Sequence, residues 1–234
     1  KKANGTLPAN GALVETIVTT DMAKAIAKAY DVELVEVLTG FKYIGEQIKF
    51  FEQQNSYEYV FGLEESYGCL AGTYARDKDA CVAVMMLCEV AAWCKSNGIT
   101  LWDDMLSLYG KYGYYKEGLE TMTLKGMDGA EKIQSMMNEM RNNPPKKIGA
   151  WDVLALRDYK KDTRTDMTGG EVTPTGLPES NVLYYELSNN AWCCVRPSGT
   201  EPKIKFYVGV KGDTLDGADQ MLEELKAEVL KHFE

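Results

Sequence analysis

Residues 12–62 read ALVETIVTT DMAKAIAKAY DVELVEVLTG FKYIGEQIKF FEQQNSYEYV FG, and this stretch decides the fold class. The β-branched run Val14–Val18 has strand composition. Thr19, Thr20 and Asp21 are N-cap residues for a helix over Met22–Tyr30, with Met22, Ile26 and Ala29 on one face. Val32–Leu38 is a second strand. Thr39-Gly40 turns the chain into a helix over about Phe41–Glu52, and Tyr57–Gly62 is a third strand. Strands alternating with helices predict βαβ units and a mostly parallel sheet.

Downstream, Asp77-Lys78-Asp79 opens a long helix over about Ala80–Ser96, which Asn97-Gly98 stops, and a further helix covers about Leu101–Tyr109. The rhythm then changes. Glu120–Leu124 is a strand, Gly126-Met127-Asp128-Gly129 leads into a helix that Asn142-Asn143-Pro144-Pro145 breaks, and Ile148–Tyr159 is a strand. Residues 160–181 read as loop. Val182–Leu187 and Ala191–Val195 flank a hairpin turn at Ser188-Asn189-Asn190. Ile204, Phe206, Val208 and Val210 alternate with polar residues in a half-buried strand. Asp213 or Thr214 caps a final helix with the stripe Leu215, Ala218, Leu222, Leu225, Val229 and Phe233. The expected organisation is an α/β domain over residues 1–115 and a small α+β domain over 116–234, its helices on one face of an antiparallel sheet.

Composition narrows the function. The 234 residues are 45% hydrophobic and 26% charged, with a net charge of −9. A phosphate backbone is neutralised by clustered Lys and Arg, which argues against nucleic acid as a partner. The longest apolar stretch, Cys81–Trp93, carries Glu89 and falls short of the about 20 residues a membrane span needs. The one histidine, His232, removes Ser-His-Asp and Cys-His catalysis. Six cysteines form no C-x-x-C pair. Cys81, Cys88 and Cys94 share one apolar helical pattern and are expected to be buried free thiols. With no signal peptide, free thiols point to a reducing cytoplasm. The chain opens Lys1-Lys2-Ala3 without a methionine and reads as a piece of a longer protein.

Ligands of open α/β sheets bind at the carboxyl ends of the strands. Three loops lie there: Thr19-Thr20-Asp21, Thr39-Gly40-Phe41-Lys42, and Leu63-Glu64-Glu65-Ser66-Tyr67-Gly68. The third offers carboxylates and a hydroxyl for sugar hydroxyls, or is simply a solvated acidic loop. Arg76 and Lys78 precede the long helix among two aspartates, either as a surface ion-pair cluster or with Lys78 donating to a sugar oxygen. The most specific signal is Arg196-Pro197-Ser198-Gly199-Thr200-Glu201-Pro202, since residues 196–211 carry a net charge of +3 within an acidic chain. Hydroxyls, a glycine-permitted backbone curl and a planar guanidinium suit a phosphate, while the proline-bounded sequence also fits a plain β-turn.

LEESYG at 63–68, DKD at 77–79 and RPSGTEPKIKFY at 196–207, with TIVTTDMAKAIAKAYDVELVEVLTGFKYIGEQI at 16–48, resemble the C-terminal half of the α-D-phosphohexomutases, the phosphoglucomutase and phosphomannomutase family. The resemblance covers nearly the whole chain and implies the third, α/β domain followed by the fourth, a small α+β domain like the TATA-binding protein. By resemblance, Thr39, Gly40, Glu64 and Ser66 contact the sugar. Arg196, Ser198, Gly199, Thr200 and Lys205 grip the phosphate that is not transferred, and Lys78 carries a proton. Glu-Glu-Ser in place of Glu-Met-Ser, with no following histidine, leans toward glucose. The family's catalytic serine loop and its Asp-x-Asp-x-Asp-Arg Mg²⁺ loop have no counterpart here. Both, with a hexose 1,6-bisphosphate activator, are expected in the N-terminal domains of a full-length parent, so that this piece alone is inactive and binds no metal. Alternatives of the same fold are a phosphopentomutase or a hexose-bisphosphate synthase. A non-catalytic sugar-phosphate sensor is the alternative of another class.

Overall fold

The computed structural model describes residues 1–124, 128–199 and 201–233. The chain divides into two compact units, Lys1–Gly113 and Tyr114–Glu234.

The first unit is built on strands β1 (Gly11–Thr16), β2 (Glu33–Val37), β3 (Glu58–Glu64) and β4 (Gly68–Leu70) in the order β2-β1-β3-β4. The first three run parallel and β4 returns antiparallel to β3, so the sheet is mixed. Helix α1 (Asp21–Tyr30) starts where the Thr20 hydroxyl accepts from the Met22 amide. Helix α2 (Phe41–Gln54) buries Phe41, Ile44, Ile48 and Phe51 against Ala12, Val14, Val37, Tyr59 and Leu70. Gly45 lets this helix approach the loop between β4 and the next helix, since a Cβ there would overlap the Arg76 carbonyl oxygen. Helices α3 (Ala80–Ser96) and α4 (Leu101–Tyr112) complete the unit. Asp79 caps α3 by accepting from the amides of Cys81 and Val82, and Thr100 with Asp103 forms a capping box on α4.

One expectation fails here. Cys94 is buried, but Cys81 and Cys88 are exposed, because most of α3 lies against nothing in its own unit.

The second unit is an antiparallel sheet of β5 (Tyr114–Thr123), β7 (Trp151–Asp158), β8 (Thr163–Asp166), β9 (Val172–Thr173), β10 (Leu183–Leu187), β11 (Trp192–Pro197) and β12 (Lys203–Gly212), with the short β6 (Lys147–Ile148) beside β7. The order along the sheet is β5-β12-β11-β10-β7-β8-β9. Strand β5 begins at Tyr114, ahead of the Glu120 read from sequence. The expected single strand 148–159 is β6 and β7 around a turn at Gly149, φ 55°. The polar stretch 160–181 contains β8 and β9. Helices α5 (Gly129–Asn142) and α6 (Leu215–Phe233) share one core with the sheet, with Phe233 stacked on Phe206 at 5.5 Å. The Thr214 hydroxyl accepts from the Gly217 amide, which makes it the N-terminal cap. A buried ion pair, Arg141 with Asp158 at 2.9 Å, ties α5 to β7, and the guanidinium also donates to the Met137 carbonyl and the Asn181 side-chain oxygen.

Candidate functional site: a carboxylate–lysine loop and a basic turn

Strands β1, β2 and β3 are parallel, so their carboxyl ends lie on one edge of the sheet. Thr39 and Gly40 follow β2. Gly40 has φ 118°, a region that favours glycine, and its carbonyl accepts from the Tyr43 amide in the first turn of α2. The β3–β4 hairpin carries the acidic loop. Glu64 ends β3 and faces Gly68 across the hairpin, Ser66 is exposed, and Tyr67 at the tip is fully exposed with φ 62°.

The structure joins two of the sequence candidates directly. Lys78 Nζ donates to Glu64 Oε1 at 2.6 Å. The Glu64 side chain is only 4% exposed, while that of Lys78 is about half exposed. Gly68 makes room for this pair: a Cβ there would sit 2.7 Å from both Glu64 Oε1 and Lys78 Cδ. The hydrogen bond and charge of Glu64, helped by Asp77 and Glu65, raise the Lys78 ammonium above the ordinary lysine range. Arg76 is engaged elsewhere, its Nη2 donating to both Glu52 carboxylate oxygens at 2.8 and 2.9 Å.

A second network in this unit escaped the sequence reading. The Thr16 hydroxyl donates to Glu65 Oε2 at 3.2 Å and shares a hydrogen bond with the Thr19 hydroxyl at 2.9 Å. Both threonines are buried, and together they tie the loop after β1 to the acidic loop. The only signal for it in the sequence is the placement of threonines at the end of a parallel strand, where hydroxyls can point across the sheet edge.

In the second unit, Arg196 on β11 lies directly opposite Lys205 on β12, and Thr121 follows on β5. Such register partners share one face of the sheet. The intervening turn is closed by the Ser198 amide donating to the Lys203 carbonyl at 2.7 Å, and Lys203 pairs with Glu201 at 3.0 Å. Among the described residues neither Arg196 nor Lys205 has an ion-pair partner. Thr200 lies outside the described residues. A cleft of about 640 Å³ in the same unit is lined by Met122, Lys132, Met136, Glu139 and His232 and contains no residue of this turn.

Among the described residues no group of three or more His, Cys, Asp or Glu is placed to hold a metal ion. Asp77 and Asp79 are committed locally. Asp77 accepts from the Lys78 amide. Asp79 caps α3 and accepts from the Tyr74 hydroxyl at 2.6 Å, which depresses its carboxyl and raises the phenol to about 12.

Residues 1–112 match the family model described as phosphoglucomutase/phosphomannomutase, alpha/beta/alpha domain III. Over residues 1–112 the chain is a domain III of the phosphoglucomutase/phosphomannomutase family. A phosphoglucomutase of Staphylococcus epidermidis is 35% identical over 215 residues, which are 92% of this chain and 39% of that protein. One from Staphylococcus aureus strain MRSA252 is 35% identical over 213 residues, 91% of this chain and 38% of its own length. The chain therefore spans well under half the length of these curated relatives. Two solved structures share the fold. Paramecium parafusin, a phosphoglucomutase in its open form, superposes with a TM-score of 0.60 at 15% identity, covering 95% of this chain and 38% of its own. A phosphomannomutase from Thermus thermophilus gives 0.58 at 13% identity, covering 99% and 38%. The architecture is thus phosphohexomutase domain III followed by a C-terminal domain.

Proposed function

We propose that this phosphohexomutase chain carries the sugar grip and the phosphate grip of an enzyme that interconverts hexose 1-phosphate and hexose 6-phosphate, of the phosphoglucomutase type. The observation that carries the reading is the pair Arg196 and Lys205. Like charges directly opposite each other in a sheet repel, and an anion between them turns that repulsion into attraction. The guanidinium can take two phosphate oxygens in parallel, Lys205 adds a point charge, Ser198 and Thr200 add hydroxyls, and Gly199 adds a backbone N–H, the Ser198 amide being already bound to the Lys203 carbonyl.

On the sugar side, Glu64 gives one oxygen to Lys78 and retains acceptor capacity, as a carboxylate has about four lone-pair sites. Ser66 adds a hydroxyl, and Thr39 and Gly40 approach from the end of β2. Lys78 is the proton carrier in this reading. Its pairing with Glu64 keeps it charged at rest, and a sugar hydroxyl competing for Glu64 would loosen that hold. Mg²⁺ and the bisphosphate activator belong to other parts of a full-length enzyme, as does the phosphorylated serine. Of the two aspartates beside Lys78, Asp77 accepts from the Lys78 amide and Asp79 caps α3, and they do not suit a metal.

The test is an ¹⁵N NMR titration of the chain with inorganic phosphate and with glucose 6-phosphate. Both should bind in the roughly millimolar range, moving the Ser198 and Gly199 amides most. The shifts at Glu64–Gly68 should be smaller and confined to the sugar phosphate. Arg196→Ala should weaken phosphate by about tenfold through loss of a charge-assisted pair. A titration in which no anion perturbs residues 196–205 overturns the reading.

A further inference from the structure

The cleft of about 640 Å³ in the second unit belongs to neither loop of the proposed function. Its floor is apolar. Met122 of β5 and Leu124 just beyond it face Met136 and Met140 of α5 and Phe233 at the end of α6. Met140 and Phe233 are buried, and Met122, Leu124 and Met136 are partly so. The rim is polar and exposed, with Lys132, Ser135 and Glu139 on α5 and His232 on α6. Lys132, Ser135, Met136 and Glu139 are spaced i, i+3, i+4 and i+7, so one stripe of α5 forms a wall of the cleft. Two helical turns, about 10.5 Å, separate Lys132 from Glu139 along it. The volume lies within the about 300–1,000 Å³ of small-molecule sites, and an apolar lining with a few polar groups is their usual make-up.

We propose that this cleft binds a small monocarboxylate with an apolar chain, its head on the Lys132 ammonium and the Ser135 hydroxyl and its chain on the methionines and Phe233. Charge places the head. Among the described residues Lys132 has no ion-pair partner and the Ser135 hydroxyl no hydrogen-bond partner, so both are open to an anion. Glu139 marks the other end. One of its oxygens already accepts from Asn143 Nδ2 at 2.9 Å, and its charge repels a second carboxylate there, so the site takes one anionic group and not two. The floor suits the chain, because methionine is unbranched and polarizable and fills against flexible apolar partners. His232 closes the cleft from α6 with its ring edge-on to Phe233, centroids 4.8 Å apart, and so reports on a chain bound beside it. None of these residues belongs to the sugar or phosphate loops, so the phosphate titration can fail while the test below succeeds, and the reverse.

The test labels the methionine methyls of the chain with ¹³C and titrates it by NMR with octanoate, with suberate (the same chain length with a second carboxylate) and with octylammonium. Octanoate should move the Met122, Met136 and Met140 methyls and the His232 ring protons, with a Kd of roughly 1 mM. Suberate should bind at least about fivefold more weakly. Lys132→Met should weaken octanoate by about fivefold through loss of the charge-assisted contact at an exposed site. Glu139→Gln should strengthen suberate by about threefold and leave octanoate within about twofold. Both positions are exposed, so both variants keep the fold. Methyls that do not move at about 10 mM octanoate, about ten times the expected Kd, overturn the proposal. So does an octanoate affinity unchanged in Lys132→Met, or suberate binding as tightly as octanoate. Octylammonium binding more tightly than octanoate assigns the head to Glu139 and overturns it. Methyl shifts that vary with protein concentration before any ligand is added assign the cleft to a second copy and do the same.

Discussion

At the scale of single residues, two sites make the chemistry measurable, the Glu64–Lys78 pair beside Gly68 and the carboxyl of Glu15. Gly68 leaves the space that the Glu64–Lys78 pair occupies. Gly68→Ala should displace that pair and cost about 1–2 kcal/mol in urea unfolding, the usual scale of a local overpacking. Lys78→Met leaves the Glu64 carboxylate, only 4% exposed, without its ammonium partner, and should cost about 1–3 kcal/mol. If the glycine variant proves as stable as the parent, the crowding has been overstated. Glu15 is the opposite case, a carboxyl left without adequate compensation. It is 3% exposed, and its Oε2 has no hydrogen-bond partner among the described residues. Burial first, then Glu36 and Asp21, push its pKa up to about 9, against smaller relief from Lys24 and the Thr20 amide. In the unfolded chain the group ionises near 4.5. Folding therefore incurs no penalty below that pH and a growing one as the pH rises toward 9. Glu15→Gln should be nearly neutral at pH 4 and stabilising at pH 8, on the order of 1–3 kcal/mol. A thermal-melt difference that stays constant between those pH values would count against the buried, protonated state.

At the scale of elements, α2 shows how context inverts a propensity. Replacing a mid-helix glycine by alanine ordinarily gains about 1 kcal/mol. At Gly45 the added methyl meets the backbone carbonyl of Arg76, which cannot rotate away. Gly45→Ala should thus destabilise by about 1–3 kcal/mol, seen as a lower Tm with α2 retained by circular dichroism. Elements also show what is legible in the sequence. The strands and helices of the first 62 residues can be read from β-branched runs, the Thr20 cap and the Thr39-Gly40 turn, because each agrees with its neighbours. Strand β4 cannot, since three residues at 68–70 carry no period. Strands β8 and β9 are polar and short, so nothing in their composition marks the pairing of β8 with β7 and of β9 with β8. The span of helix α3 is legible, but the environment of Cys81 and Cys88 is not, because an apolar helix without a polar face carries no sign of which side is packed. The turn at 196–202 stands out by charge, hydroxyls and glycine. The opposition of Arg196 to Lys205 depends on strand register, and the Glu64–Lys78 contact spans 14 positions and a hairpin, so neither is legible.

At the scale of the molecule, the two units divide the proposed binding tasks, with the carboxylate–lysine loop in one and the basic turn in the other. Neither task is phosphoryl transfer, which needs a positioned nucleophile and charge neutralisation of the moving group. Incubated with glucose 1-phosphate, Mg²⁺ and glucose 1,6-bisphosphate, the chain should yield no glucose 6-phosphate above the buffer blank in a coupled dehydrogenase assay. Turnover above that blank would mean that the nucleophile lies within these residues after all.

The pairing of β5 with β12 carries a consequence for the birth of the protein. Thr123 pairs with Lys203 and Tyr114 with Gly212, so the partners are made 80 to 98 residues apart. At about 5–20 residues per second of synthesis, β5 waits roughly 4–20 seconds for its neighbour. Throughout that interval the first unit is already fully translated and free to collapse, while β5 presents an open ladder of N–H and C=O groups beside a nascent sheet. Its Lys116, Glu117 and Glu120 give that open edge charges that discourage wrong pairing. The order of translation thus makes the half that carries the basic turn the slower to mature and the more exposed to misassembly, and it is the last strand synthesised that closes it.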